Sequence, residues 1–322
     1  MAAKLISIII PLYNEEDNIP LLYKKLKSIV NFMDYDFEII AVDDGSRDGS
    51  FHELKKIEKK DSDFKIIQFT RNFGKEMATT AGIQYCSGDA CIIMDSDLQH
   101  PPENIPIFLE KWEKGAEVVV GIRNKSRKRP LRNLSSYLYC KIMNMISETK
   151  FVQGDTDFRL LDRVVIDEFK KFSEKTRITR GLINWLGFRK EFVHFEVPER
   201  ANGKVQYGLI KRIRLAFYST VSMSLFPLRI AGYIGIFITS MSALAAIFII
   251  VERYVLKDPL GLNFSGLSVL GFINMLLVGV ILMCLGLIAL YIENIHKETL
   301  NRPLYVVRYQ NKKGSVENSE KK

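Results

Sequence analysis

Residues Ile92 to Glu103 read IIMDSDLQHPPE. Three apolar residues end in two aspartates one residue apart. A glutamine follows two residues on, and a histidine and two prolines close the stretch. A short apolar run bounded by turn chemistry predicts a strand buried on both faces. Pro101 and Pro102 bar further pairing, and the second suits the start of a helix. Alternate side chains of the extended tip point the same way. Asp95, Asp97 and Gln99 can therefore converge as oxygen ligands on one Mg2+ or Mn2+, which would keep waters and accept phosphate oxygens as further ligands. His100 stands without a second histidine nearby and is assigned to the loop.

The rest of the N-terminal region alternates strands and helices around this run. LISIIIPLYN, FEIIAVDDGS, FKIIQFTRN and AEVVVGIRN read as strands; EEDNIPLLYKKLKSIV and KEMATTAGIQYC have helical spacing. Helices between β-rich apolar runs predict a largely parallel sheet with right-handed crossovers. Ligands gather at the carboxyl ends of the strands in such a sheet. Here those ends carry PLYNE, VDDGSRDG, TRNFGKE and DSDLQH, so polar residues cluster on one edge of four consecutive strands.

The chain has 322 residues and a formal net charge of +9. Two long apolar stretches follow residue 227: Ile230 to Val251, and a second whose densest part is Leu267 to Ile292. Each has the roughly 20 residues that a helix needs to cross a bilayer. Lys211, Arg212, Arg214 and Arg229 precede the first, and Lys297, Arg302, Arg308, Lys312 and Lys313 follow the second. The positive-inside rule then predicts a multi-pass protein of the inner (plasma) membrane with its catalytic domain and both termini cytoplasmic. The basic charge fits an anionic leaflet, and no nucleic-acid motif accompanies it. The expected domains are a catalytic domain over 1–206, an interfacial amphipathic helix over 207–228, two transmembrane helices over 229–293 and a tail over 294–322. Cys86, Cys91, Cys140 and Cys284 form no CxxC pair and read as reduced thiols.

In combination, the motifs resemble those of family 2 glycosyltransferases that move a sugar from a nucleotide to a polyprenyl phosphate. These include bactoprenol glucosyltransferases and dolichyl-phosphate mannose synthases. The matching segments are PLYNEEDNI (11–19), VDDGSRDGS (42–50), RNFGKEMATTAG (71–82), MDSDLQHPPE (94–103), GDTDFRLLDR (154–163), RGLINWLGF (180–188) and RPLYVVR (302–308). The resemblance implies a GT-A fold, a Rossmann-like parallel sheet, followed by two transmembrane helices. It implies that Pro11, Tyr13, Glu15, Asp43, Asp44 and Asp95 line the nucleotide-sugar pocket, and that Asp95, Asp97 and Gln99 hold the metal that binds the diphosphate. It also implies a homotetramer.

Asp157 matches the aspartate that serves related inverting enzymes as general base. A phosphate acceptor is already anionic, so Asp157 either takes a proton or positions sugar and acceptor. The bland alternatives are a helix cap or a pair with Arg159, and Asp155 is a rival for the same duty. Arg123, Arg127, Arg129, Arg132, Arg200 and Lys204 are the cations for a lipid phosphate, arginine's planar fork suiting its oxygens. RANGKVQY departs from the family's R-x-x-G-x-S-K-Y by carrying Val205 and Gln206 in place of Ser-Lys. Trp185 either stacks on a ligand or packs in the core. The expected reaction is inverting transfer of glucose or N-acetylglucosamine from a UDP-sugar to undecaprenyl phosphate. Its alternatives are a GDP-mannose-using synthase of the dolichyl type and an inactive membrane scaffold. A processive polysaccharide synthase would carry Q-x-x-R-W, which is absent from the sequence.

Overall fold

The computed structural model describes residues 3–124, 154–175, 177–196 and 266–311, with single positions between 233 and 251. Arg127, Arg129, Arg132, Arg200, Lys204, Cys140, the amphipathic helix expected over 207–228 and the end of the chain from 312 lie outside the described residues. The chain divides into two compact units, Met1–Tyr207 with Arg302–Lys322, and Gly208–Asn301.

The first unit is built on eight strands: β1 (Leu5–Leu12), β2 (Asp36–Asp43), β3 (Phe64–Phe69), β4 (Ala90–Ile93), β5 (Val118–Arg123), β6 (Asp155–Asp162), β7 (Lys190–Phe195) and β8 (Val307–Gln310). They form one sheet in the order β7-β5-β6-β4-β1-β2-β3-β8. The helices are α1 (Asn18–Val30), α2 (Ser50–Glu58), α3 (Lys75–Tyr85), α4 (Ile105–Glu113), α5 (Arg163–Lys170) and α6 (Thr179–Trp185).

Strand alternation divides the core in two. Ile6, Ile8 and Ile10 of β1 pack with Leu22 and Leu26 of α1 and Leu54 of α2. Ile9, on the other face, packs with Ala78, Ala81 and Ile83 of α3. Both faces are covered, which is why these strands are near-continuous runs of Ile, Val and Leu. The approach of α3 is close at Gly82, where a Cβ would stand 2.1 Å from Ile9 Cγ2.

The parallel expectation holds for β1 through β4, with β1 between β2 and β4 and β3 beyond β2. It is corrected at two strands. β6 runs antiparallel to both β4 and β5, and β8 runs antiparallel to β3. The physical reason is reach. β8 returns from the far end of the chain to the open edge beside β3, and β6 enters between β4 and β5 from a segment distant in sequence from β4. The reversal of β6 matters for the site, because it brings the start of that strand to the edge where β4 ends.

Pro11 sits inside β1, opposite Val42. Pairing with β4 has already ended at Ile9 and Ile93, and Ile9 accepts from Met94 as β4 turns out. Pro11 faces that same side one step further on, so its missing N–H leaves no rung unmade.

In the second unit, the later apolar stretch lies in α7 (Gly266–Thr299). The expected multi-pass inner-membrane placement, with two membrane-crossing helices and cytoplasmic termini, is corrected here: among the described residues no helix is long and apolar enough to cross a membrane. A crossing needs about 20 consecutive apolar residues.

Candidate functional site

Four loops meet at the carboxyl edge of β1 to β4. The β1–α1 and β2–α2 loops interlock through Asn14, whose amide donates to Ser46 Oγ at 2.9 Å and whose Oδ1 accepts from the Arg47 amide at 2.9 Å. Asn14 adopts the left-handed region at φ 55°, which asparagine tolerates. Glu15 is half-buried; its amide donates to Ser50 Oγ at 2.8 Å, and its Oε2 accepts from Asn18 Nδ2 at 2.5 Å. Tyr13 is half-buried beside it and Pro11 is buried. The β2–α2 loop also lies against the β3–α3 loop. Gly45, at φ 67°, would place a Cβ 2.5 Å from the Arg71 carbonyl carbon, so only glycine allows this approach.

The acids of VDDGS are buried in this loop packing. Asp43 is wholly buried and accepts from the Ser46 amide at 2.9 Å and from Gln68 Nε2 at 3.1 Å. Asp44 is 2% exposed and accepts from the Phe73 and Gly74 amides at 2.6 and 2.9 Å. Burial pushes the Asp44 carboxyl up, and those two amides offset it only in part. Asp44 therefore holds the turn that leads into α3.

The β4 tip is arranged differently. Its loop is closed by His100, whose Nδ1 accepts from the Asp95 amide at 2.9 Å. The His100 ring stacks on Phe158 with centroids 5.1 Å apart and meets Phe195 edge-on. Burial pushes its imidazole below the ordinary value, so it is neutral at pH 7 and holds the loop. Leu98 takes a left-handed conformation at φ 60°, and the Gln99 amide donates to Asp97 Oδ1 at 3.1 Å. Pro102 then opens a 3-10 turn (Pro102–Asn104) that runs into α4.

β4 and β6 pair with Ile93 opposite Arg159. The same antiparallel register carried two residues further sets Asp95 opposite Asp157. Between them lies the ammonium of Lys75, the first residue of α3. Its Nζ is 2.6 Å from Asp95 Oδ1 and 2.8 Å from Asp157 Oδ2. On the other side of Asp157, Arg180 Nε stands 3.0 Å from Oδ1. Burial alone would raise the Asp157 carboxyl, but Lys75 and then Arg180 hold it well below the usual carboxylate range. Such an acid is ionised and a poor proton acceptor.

Arg180 is placed by the start of α6. Glu76 Oε2 accepts from the Thr179 amide at 2.8 Å and from its Oγ1 at 2.5 Å, joining the first turn of α3 to that of α6. The pairing foreseen between Asp157 and Arg159 does not form. Arg159, 1% exposed, donates through Nη2 to both Asp155 oxygens at 2.6 and 2.7 Å. Asp155 is thereby committed to Arg159, and the cap on α5 comes from Asp162, which accepts from the Val164 amide at 2.9 Å.

Asp95, Asp97 and Gln99 thus share one loop, as read from their spacing. Among the described residues no three His, Cys, Asp or Glu side chains converge into a metal site. The donors suit a hard divalent cation that binds through two carboxylates and takes its other ligands from water and phosphate. A cation already sits against Asp95, in the form of the Lys75 ammonium. Arg123 ends β5 and is exposed, and Trp185 is 62% exposed with its edge on Phe172. Lys75 and Glu76 fall inside RNFGKEMATTAG, where the sequence leaves open a local pair or a contact with the nucleotide, and Thr179 and Arg180 are not singled out there. Arg180 opens the RGLINWLGF segment, and Thr179 stands one residue before it with no signal of its own.

A family model described as Glycosyl transferase family 2 matches residues 7–170. The uncharacterized glycosyltransferase YkcC of Bacillus subtilis (strain 168) is 36% identical over 303 residues, 94% of this chain and 93% of its own length. The bactoprenol glucosyl transferase of Shigella phage SfV is 34% identical over 309 residues, 96% of this chain and 99% of its own. Glucosyl-3-phosphoglycerate synthase from Mycobacterium tuberculosis, solved with Mn2+ and UDP-glucose, is 18% identical over 68% of this chain and 78% of that one, with a TM-score of 0.43. A likeness that loose decides nothing about ligands.

Proposed function

The chain belongs to glycosyl transferase family 2, and from that premise we propose that this glycosyltransferase moves a hexose from a UDP-sugar to a polyprenyl phosphate with inversion. Relatives named bactoprenol glucosyl transferases, matched over nearly their full length, support the acceptor. Glucose or N-acetylglucosamine is the proposed hexose.

One observation carries this reading: Asp157 is pinned between Lys75 and Arg180 beside Asp95. An alcohol acceptor needs a base to remove its proton. An acid held ionised by two cations serves that purpose badly. A phosphate acceptor arrives anionic and needs no base. In the proposed reaction, a phosphate oxygen forms its bond to the anomeric carbon from one face. The bond to the nucleotide diphosphate breaks on the other. Asp157 and its two cations orient the acceptor side of this displacement.

Pro11, Tyr13, Glu15 and Asp43 are proposed to shape the nucleoside side. Asp95, Asp97 and Gln99 would hold Mg2+ or Mn2+, which when bound supplies positive charge to the departing diphosphate. Arg123 is proposed to meet the lipid phosphate together with Arg127, Arg129, Arg200 and Lys204, which lie outside the described residues.

The test is a donor panel with Mn2+ and undecaprenyl phosphate, read by mass analysis of the lipid. A product heavier by one hexosyl or N-acetylhexosaminyl unit is expected. Transfer to a sugar alcohol but not to the lipid phosphate would overturn the acceptor. Asp157→Asn is expected to lower kcat about 10- to 100-fold and leave the shape of the pH–rate profile unchanged. Loss of an acidic-limb ionisation in that variant would restore Asp157 as a base.

A further inference from the structure

The proposed reaction uses Lys75 only as a cation on Asp157 and not the other end of its bridge, at Asp95. Lys75 is the first residue of α3, fixed in place by the Gly74 amide on Asp44 and by Glu76 on Thr179. From there its ammonium bridges two acids on different strands, at 2.6 Å from Asp95 and 2.8 Å from Asp157.

The bridge is asymmetric. Asp157 has a second cation, Arg180, at 3.0 Å. The Asp95 Oδ1 atom is buried and makes no hydrogen bond of good geometry, so the ammonium is its principal partner. If Lys75 left Asp95, its ammonium would keep Asp157 and Asp157 would keep Arg180. Asp95 Oδ1 alone would need a new cation.

Asp95 is also a proposed metal ligand. A divalent cation and an ammonium cannot share one carboxylate oxygen without strong repulsion at such short range. Seating the metal therefore displaces Lys75 from Asp95. The nearest new anion for the ammonium would be the donor's diphosphate, which the metal brings with it.

Building on the proposed function, we propose that Lys75 is a positioning residue. Its ammonium stands in for the divalent cation at Asp95 and transfers to the donor diphosphate when that cation binds. Throughout, it keeps Asp157 in register with the donor. Metal alone then binds weakly because it must displace the lysine, and nucleotide makes binding tight by giving the lysine a new partner.

The experiment uses the full chain and titrates Mn2+ by calorimetry, alone and with UDP present. In Lys75→Met, Mn2+ alone should bind about tenfold more tightly than in the wild type, since its internal competitor is gone. The gain in Mn2+ affinity on adding UDP should shrink, and kcat for transfer should fall. Lys75→Arg, which keeps the charge, should hold the wild-type Mn2+ affinity and restore part of kcat. A residue with a merely structural role would weaken metal binding and turnover together. Mn2+ affinity equal to or weaker than wild type in Lys75→Met, with the thermal melt unchanged, would overturn the exchange. If Lys75→Met melts early, Lys75→Gln provides the same comparison. The Mn2+ titration needs neither donor sugar nor acceptor. It decides the exchange even where the wild-type chain transfers nothing, a result that would sink the proposed function instead.

Discussion

Two pairs of acids stand at the ends of parallel strands that flank β1 and look alike in sequence: Asp43-Asp44 at the end of β2, and Asp95-Ser96-Asp97 after β4. Their surroundings separate them. The β2 pair is buried, and its oxygens accept hydrogen bonds from the Ser46, Phe73 and Gly74 amides and from Gln68. At the β4 tip, Asp95 is about a quarter exposed and held by a lysine ammonium rather than by backbone. Backbone amides cannot leave, whereas an ammonium on a flexible stem can. The first pair builds the edge and the second remains exchangeable there.

The largest effect that would break this contrast is expected at Asp95. Asp95→Asn should lower transfer about 10²- to 10³-fold while the urea midpoint moves little. A large loss of stability with activity per folded molecule intact would reverse the assignment. Asp44→Ala should act the opposite way. It leaves the Phe73 and Gly74 amides without their acceptor, at a cost of about 2–4 kcal/mol in an equilibrium urea melt. A neutral melt would mean that the turn into α3 does not depend on this carboxylate.

Glu38 sharpens the comparison by a smaller measure. It lies near the start of β2, at the far edge, 3% exposed, bonded to Ser7, Lys65 and Ser87. Burial alone would raise its carboxyl, but Lys65, Ser7 and Ser87 hold it below its ordinary 4.5. Its contribution to stability is therefore complete above that ordinary value and is lost as pH falls through the lower folded one. Glu38→Gln should be less stable than wild type at neutral pH and show a flatter decline in that acid window. A parallel decline in both proteins would remove Glu38 from the acid response.

Much of the edge was legible in the residues. β-rich apolar runs ending in PLYNE, VDDGS, TRNFG and DSDLQ placed four polar tips together, because parallel strands joined by helices share a direction. His100 was readable as a loop residue, and it closes the loop on the Asp95 amide. The pairing of Asp157 was not readable. It depends on β6 running backwards beside β4, a contact between segments distant in sequence whose relative sense no local pattern sets. Arg180 was equally hidden, since its position depends on Glu76 capping α6 from another helix.

The sequence by itself determined the alternating α/β order, the edge where chemistry gathers and the oxygen-rich tip of β4, because local periodicity and turn residues are properties of short segments. The tertiary structure alone decided which acids are locked and which can be exchanged. Burial, register and the reach of Lys75 between two strands arise only when distant segments meet, and they separate two acidic tips that read alike along the chain.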